Sequence, residues 1–359
     1  MKYGLFLRVL ASLALLWWAG LAAAQESQSP MTYDGADRNE RLLEGARKEG
    51  SLLLYTSMAE KDMLGLVNAF QDKYGIKVEV WRSGKNKVLQ RALTEADAGR
   101  FVVDVIQNPS PEMEALHREK VLHPVKSPYQ SDLIPQALPK HREWTGMRTY
   151  VFVQAYNPRK VGEQELPSTY EDLLDPRWKG RLGIEAKNQE WFMTLIGAMG
   201  EEKGLRYFRE LVKTNGMSVR AGHSLLANLV VAGEVPFAVT MYSYLVDQKK
   251  AGGAPIDYIA LKPTIAYTDG IGIARHAPHP NAAMLFYDFM LGEGQEMVSK
   301  GHQITTHERD ARQLAHFAPV YIDPAKVLDT YDRWGKLYED VLNGRPDADL
   351  PQKRVNHES

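Results

Sequence analysis

Apolar residues recur along this chain with two periods, two residues and three to four, and the alternation predicts strand–helix units. Over 51–119 three such units follow one another. Leu52-Leu53-Leu54-Tyr55 reads as a buried strand. In the next segment Met63, Leu66, Val67 and Phe70 fall at i, i+3, i+4 and i+7, with Asp62 as cap and Gly75 as stop. Residues 76–81 alternate as a half-buried strand, and Val88, Leu89, Ala92 and Leu93 mark a second helix. A third strand is expected over 102–106. Ser110-Pro111-Glu112 then opens a helix with a hydroxyl cap, Pro at the first position and acid in the first turn.

The pattern returns after Tyr156-Asn157-Pro158. Strands are predicted over 181–186, 217–220, 235–240 and 256–259. One intervening helix buries Phe192, Leu195, Ile196 and Met199, and another buries Leu205, Phe208 and Val212. A third starts near Ser224 and stops at Gly233. A further strand begins near Ile271, followed by a helix over 281–290. Residues 323–342 place Val327, Tyr331, Trp334, Tyr338 and Val341 on one stripe, as a helix packed on the body. Strands alternating with helices at this spacing imply largely parallel sheets with helices on their faces, an α/β chain.

The N-terminus carries another pattern. Lys2 and Arg8 precede an apolar run over 9–21, and Ala22-Ala23-Ala24 supplies small residues before Gln25. This predicts a cleaved signal peptide, 1–24, whose apolar run is too short for a membrane anchor. The product is expected in the periplasm, with no lipid anchor because no Cys follows. Cysteine is absent from the whole sequence, which excludes disulfides, thiolate metal sites and a Cys nucleophile. A formal net charge of −1 lacks the basic excess of a nucleic-acid binder. The roughly 335 remaining residues suffice for two medium domains.

Ligands of open parallel sheets bind beyond the carboxyl ends of the strands, where helix N-termini point. Those positions are Thr56-Ser57, Arg82-Ser83-Gly84 and Asn108-Pro109-Ser110 in the first half. In the second half they are Glu185 to Asn188, Gly222-His223-Ser224 and Met241 to Tyr244. Free backbone N–H groups beside Ser and Thr hydroxyls suit phosphate, phosphonate or carboxylate. Arg82 can pair with an oxyanion, Trp191 and Tyr267 can wall a pocket, and the phenol oxygens of Tyr242 and Tyr244 would suit ferric iron. Catalytic signals are poor. Thr305-Thr306-His307-Glu308 lacks the second His of a helical zinc site, and neither a Gly-rich phosphate loop with Lys nor a carboxylate couple stands out. Neither an enzyme nor a cofactor is expected.

Several motifs together resemble the bacterial extracellular solute-binding proteins of ABC importers, in the branch of ferric-iron, thiamine, phosphonate and phosphosugar binders. They are Leu54-Tyr55-Thr56-Ser57, Ser83-Gly84, Tyr156-Asn157-Pro158, Pro167-Ser168-Thr169-Tyr170-Glu171-Asp172-Leu173, Pro176-Arg177-Trp178-Lys179-Gly180 and Gly233-Glu234. Ala277-Pro278-His279-Pro280-Asn281-Ala282-Ala283, Phe289-Met290-Leu291 and Gly294-Gln295 complete the set. The resemblance covers 51–307. It implies a type II periplasmic-binding fold, two α/β lobes with mixed or parallel sheets joined by two crossing strands near 151–156 and 263–269. Lobe one would comprise 25–152 plus 269–310, lobe two 153–268, and a C-terminal helical extension with a polar tail 311–359. Solute would lie between the lobes, Asp269 among its contacts, and be passed to a membrane permease by a monomer.

Iron-binding members combine two neighbouring tyrosines with a His and an acid of the first lobe. Here Ser243 separates Tyr242 from Tyr244, Met58 and Ala59 follow the Tyr55 strand, and the nearest acid to the Asn108 loop is Glu112. The expected solute is therefore a small organic anion, a carboxylate, phosphonate or phosphate ester. Ferric iron on Tyr242 and Tyr244 is the alternative.

Overall fold

The computed structural model describes residues 29–345; the predicted signal peptide and the end of the polar tail lie outside them. A helix that the periodicity did not single out comes first, α1 (Arg38–Glu49), followed by β1 (Ser51–Thr56), α2 (Glu60–Tyr74), β2 (Lys77–Arg82), α3 (Lys85–Asp97), β3 (Val105–Pro109) and α4 (Ser110–Arg118). Strand β1 pairs in parallel with both β2 and β3. Helix α2 buries Met63, Leu66, Val67 and Phe70 as their spacing required, and Gly75 ends it at φ 70°, where a side chain would be strained. Asp62 does not cap it. The helix starts two residues earlier, and the Asp62 carboxylate accepts instead from Gln303 Nε2 at 2.9 Å.

Strand β3 starts three residues later than the alternation suggested. Phe101 and Val102 are exposed, and Asp104 is drawn inward because its carboxylate accepts the backbone N–H groups of Leu53 and His279 at 2.7 and 2.6 Å. A buried carboxylate held by two amides overrides the apolar pattern. At α4, Ser110 is the first helical residue rather than the cap, and its side chain makes no capping bond.

The chain then runs through β4 (Thr145–Tyr156), buried along its full length. The second half follows as β5 (Leu182–Glu185), α5 (Gln189–Met199), α6 (Glu201–Asn215), β6 (Ser218–Arg220), α7 (His223–Ala232), β7 (Phe237–Tyr242), α8 (Ser243–Ala251) and β8 (Asp257–Ile259). Strand β9 (Ile265–Ile273) returns antiparallel to both β4 and β3. The main strand order is β2-β1-β3-β9-β4-β7-β5-β6. Strands β4 and β9 thus lie between the strands of the first half and those of the second, and where two sheets were expected the strands are hydrogen-bonded as one path. Among the described residues no helix is long and apolar enough to cross a membrane.

Helices α9 (Pro280–Leu291) and α10 (Glu293–Lys300) cover the first half, with the buried Arg38–Asp288 ion pair joining α9 to α1. After β10 (Ile304–Thr305), α11 (Ala311–Phe317) and β11 (Val320–Tyr321), the expected single stripe over 323–342 is two helices, α12 (Pro324–Asp329) and α13 (Tyr331–Leu342). Asp323 caps α12 by accepting from Ala325 N and Lys326 N at 3.0 and 3.2 Å. Val327, Trp334, Tyr338 and Val341 are buried as predicted, whereas Tyr331, which shares their spacing, is exposed because the break at Thr330 turns it outward.

This segment touches both halves. Arg118 of α4 donates to Asp329 Oδ1 and the Ala325 carbonyl at 2.7 and 3.2 Å. On the other side, Trp334 and Tyr338 place their rings 6.0 and 5.0 Å from that of Phe192 on α5, and Tyr338 Oη donates to the Glu185 carbonyl. Trp334→Ala is expected to cost about 3–5 kcal/mol, because the side chain is buried against α5 and its loss leaves a cavity. Urea denaturation measures this; an unchanged midpoint would make α13 a peripheral addition rather than part of the core.

Candidate functional site

The cross-strand register of β4 and β9 sets Tyr150 directly opposite Tyr267 and Arg148 opposite Asp269, so each pair meets on one face. Strand β7 adds Tyr242 opposite Phe152, and Tyr244 follows in the first turn of α8. Tyr150 is the hub: its ring centroid lies 4.8, 5.3 and 5.1 Å from those of Tyr242, Tyr244 and Tyr267. Tyr267 Oη donates to Tyr242 Oη at 2.9 Å, and Phe152 closes the group at 5.1 Å from Tyr242. Burial raises the pKa of all four phenols, to about 12 for Tyr244, where the Arg148 guanidinium works in the opposite direction.

Arg148 stands beside the tyrosines, its guanidinium carbon 4.8 Å from the Tyr150 ring centroid. Its Nε donates to Asp269 Oδ2 at 2.6 Å, an oxygen that also accepts from Gln107 Nε2 at 2.6 Å. Burial pushes the Asp269 carboxyl up, and the guanidinium with its hydrogen bonds pulls it back. Asp269 Oδ1 has no partner although it is buried.

On the other side of the tyrosines lies Lys85, the first residue of α3. Its ammonium contacts Glu190 Oε1 on α5 at 2.9 Å and Glu112 Oε1 on α4 at 3.3 Å. Three helix starts from the two halves thus converge on one cation. Burial disfavours that charge, but Glu112 and Glu190 outweigh it and hold the Lys85 pKa well above its ordinary value. Burial, with Lys85 nearby, pushes His223 down to about 3, so its imidazole is neutral. The His223 ring lies 3.9 Å from that of Tyr242, and its Nε2 faces Asn188 Oδ1 at 3.2 Å. Around this end Asn108 Oδ1, Glu112 Oε2, Asn188 Nδ2, Trp191 Nε1 and His223 Nδ1 are buried without partners. Unsatisfied buried polar atoms are costly, and their concentration here makes this end part of the candidate site.

Lys85→Met is expected to lower stability by about 3 kcal/mol at pH 7, since it leaves Glu112 and Glu190 facing each other without a cation. Burial already raises the Glu112 pKa, so Glu112 takes up a proton more readily than an exposed carboxylate. The deficit should therefore shrink as pH falls from 7 to 5. Urea midpoints of both proteins at the two pH values measure it; equal midpoints at pH 7 would show that the triad contributes nothing.

The structure brings together part of the expected set. Tyr242, Tyr244 and His223 lie together, Asn108 donates to the Lys85 carbonyl beside them, and Asp269 joins through Arg148. Tyr267 joins through Tyr150 and Tyr242, and Trp191 is buried with its ring 6.4 Å from that of Phe152. Thr56 is buried against Gln107 and accepts from Met58 N at 3.0 Å, a turn-forming role. Ser57 and Ser83 are half-buried, each donating its backbone N–H to a neighbouring strand. Arg82 is exposed and donates to the Met58 carbonyl at 2.7 Å rather than standing free for an oxyanion. Gly84 and Ser224 are exposed at the starts of α3 and α7. Glu185 accepts from Gly222 N and Lys187 N at 2.9 and 2.6 Å, so it shapes the loops before α5 and α7. Ser110 lines a different cavity, beside Glu114, His141 and Trp144. Sequence reasoning missed Lys85, Glu190, Arg148 and Tyr150. Their partners lie 105, 121 and 117 positions away (Glu190, Asp269 and Tyr267), and a local pattern holds no signal for that.

Similar proteins give the site its setting. A curated relative, an "Fe(3+)-binding periplasmic protein" of Serratia marcescens, is 26% identical over 266 residues, covering 71% of this chain and 78% of that one. The iron-bound HitA structure from Pseudomonas aeruginosa superposes with a TM-score of 0.70 at 24% identity, over 81% of this chain and 99% of that one. The AfuA structure from Actinobacillus pleuropneumoniae, with fructose-6-phosphate bound, gives 0.63 at 21% identity, over 82% and 97%. At those identities the two structures speak for the fold alone. The family model for bacterial extracellular solute-binding proteins matches residues 65–335, and this chain belongs to that family.

Proposed function

We propose that this protein captures ferric iron at the tyrosine cluster and delivers it, as a periplasmic solute-binding component, to the membrane permease of an ABC importer. The observation that supports this most is the cluster itself: four buried phenols from β4, β7, α8 and β9, three of them packed around Tyr150. Phenolate oxygens are hard, anionic donors of the kind a trivalent hard cation prefers, by the same logic that matches oxygen ligands to hard metals. Tyr242 and Tyr244 are the leading ligands, with Tyr150 and Tyr267 beside them. His223 stays neutral at any physiological pH, so its ring can accept a cation rather than repel it. It stands in the second half, whereas the family resemblance implies a His in the first. The ferric-binding name of the Serratia relative supports the same ligand.

The reading replaces the organic anion favoured by the hydroxyl-bearing loops. Arg82 is tied to a carbonyl, Ser224 is exposed and Ser110 lies elsewhere, so those loops do not form one anion cradle. The unpaired polar atoms around Lys85 favour an organic solute as the second reading. Titrating the protein with ferric citrate and following visible absorbance separates the two. A saturable coloured complex supports iron, while no colour at saturation returns the organic anion to first place.

We assign the lobes as the resemblance implied, 25–152 with 269–310 against 153–268, and take 311–359 as an extension. The Lys85–Glu190 contact would then form on closure and break on opening.

A further inference from the structure

Helix α4 carries Glu112 toward the cleft, but Glu114 and His117, three residues apart, share another face. The segment before β4 brings His141 and Glu143 against that face. The ligand atoms of Glu114, His117 and His141 all lie within 4.8 Å of one another, and none of the three belongs to the tyrosine site. The two imidazole rings are stacked, centroids 3.5 Å apart and 10° from parallel. His117 Nδ1 faces Glu143 Oε2 at 2.9 Å, and Glu143 Oε1 is anchored by Arg275 Nη2 at 3.1 Å. That carboxylate holds the ring proton on Nδ1 and leaves the Nε2 lone pair of His117 available, the arrangement that supports a metal-bound histidine. Glu114 Oε2 is steadied by Trp144 Nε1 at 3.3 Å and borders a cavity closed on its far side by Asp323 and Pro324.

We propose that Glu114, His117 and His141 bind one divalent cation of the zinc class, at a site separate from the cleft. Two imidazole nitrogens and a carboxylate oxygen are a ligand set zinc accepts, and the adjoining cavity leaves room for water at the fourth position. In the metal-free protein His141 Nδ1 accepts the Glu143 amide at 3.1 Å, so its Nε2 carries the ring proton and donates to Glu114 Oε2 at 3.2 Å. The cation takes the place of that shared proton. The His141 proton moves to Nδ1 as the ring turns from the Glu143 amide, and the stacking with His117 opens. Glu143 is a positioning residue.

Chelator-stripped protein carrying Tyr244→Phe, titrated calorimetrically with Zn2+ and optically with Co2+, tests the site apart from the tyrosines. The expected result is a saturable equivalent of Zn2+ and a visible Co2+ spectrum, both lost in His117→Ala and in His141→Ala. Glu143→Gln should keep the site but weaken it about 10–100-fold. No saturable Zn2+ binding, or the same stoichiometry in the histidine variants, would overturn the proposal. Should an alanine variant fail to fold by circular dichroism, Glu143→Gln decides: affinity equal to its parent's counts against the site. The result is independent of whether iron binds in the cleft.

Discussion

Tyr244→Phe should weaken the visible colour of the ferric-loaded protein, leaving only what Tyr242 supplies, and weaken ferric capture at least ~100-fold, about 2.7 kcal/mol. The colour would arise from phenolate-to-iron charge transfer, which phenylalanine cannot supply. The Arg148 charge opposes the effect of burial on the pKa of both Tyr244 and Tyr150. The four buried phenols are protonated in the free protein, so each that becomes a ligand must release a proton. Capture therefore tightens as pH rises and loosens as it falls, with a steeper dependence the more tyrosines take part. Ferric citrate titrations at pH 6, 7 and 8, read by absorbance, measure both effects. Full colour in Tyr244→Phe with loss in Tyr242→Phe would move the principal ligand to Tyr242; full colour in both would remove the tyrosine pair from the site.

Arg148→Ala is expected to destabilise the protein by about 3–5 kcal/mol, because it leaves Asp269 buried at the crossing of the two halves with its cationic partner gone. Gln107 and Tyr150 still contact the carboxylate but bring no compensating charge. Arg148→Met combined with Asp269→Leu should recover most of the loss, since two apolar residues of similar volume need no pairing. Urea denaturation of the single and double variants measures this. A single variant as stable as the parent would show that the pair contributes no net stability. The double variant should also bind iron more weakly, as Tyr244 loses the charge that eases its ionisation.

The strand–helix order was legible because each element carries its own periodicity. Phe192, Leu195 and Ile196 face inward where the spacing placed them, and Gly75 and Gly233 end their helices in left-handed conformations. The misses have local physical causes. Asp104 takes two backbone amides and delays β3, and the break at Thr330 turns Tyr331 out of the stripe that its spacing shared. Of the site, Tyr242, Tyr244, His223 and Tyr267 could be found because they sit at strand ends or on a crossing strand. Tyr150 and Arg148 could not, since β4 is apolar or buried along its whole length and no alternation distinguishes its faces.

The sequence by itself determined the α/β class and the family, because period, turn residues and short motifs are properties of neighbours along the chain. Tertiary structure alone decided which polar groups meet. The register of β4 on β9 aligned Tyr150 with Tyr267 and Arg148 with Asp269, and the convergence of three helix starts gave Lys85 its two carboxylates. Those pairings join residues more than a hundred positions apart, or on separate elements, and their energies depend on burial and charge that exist only once the chain has folded.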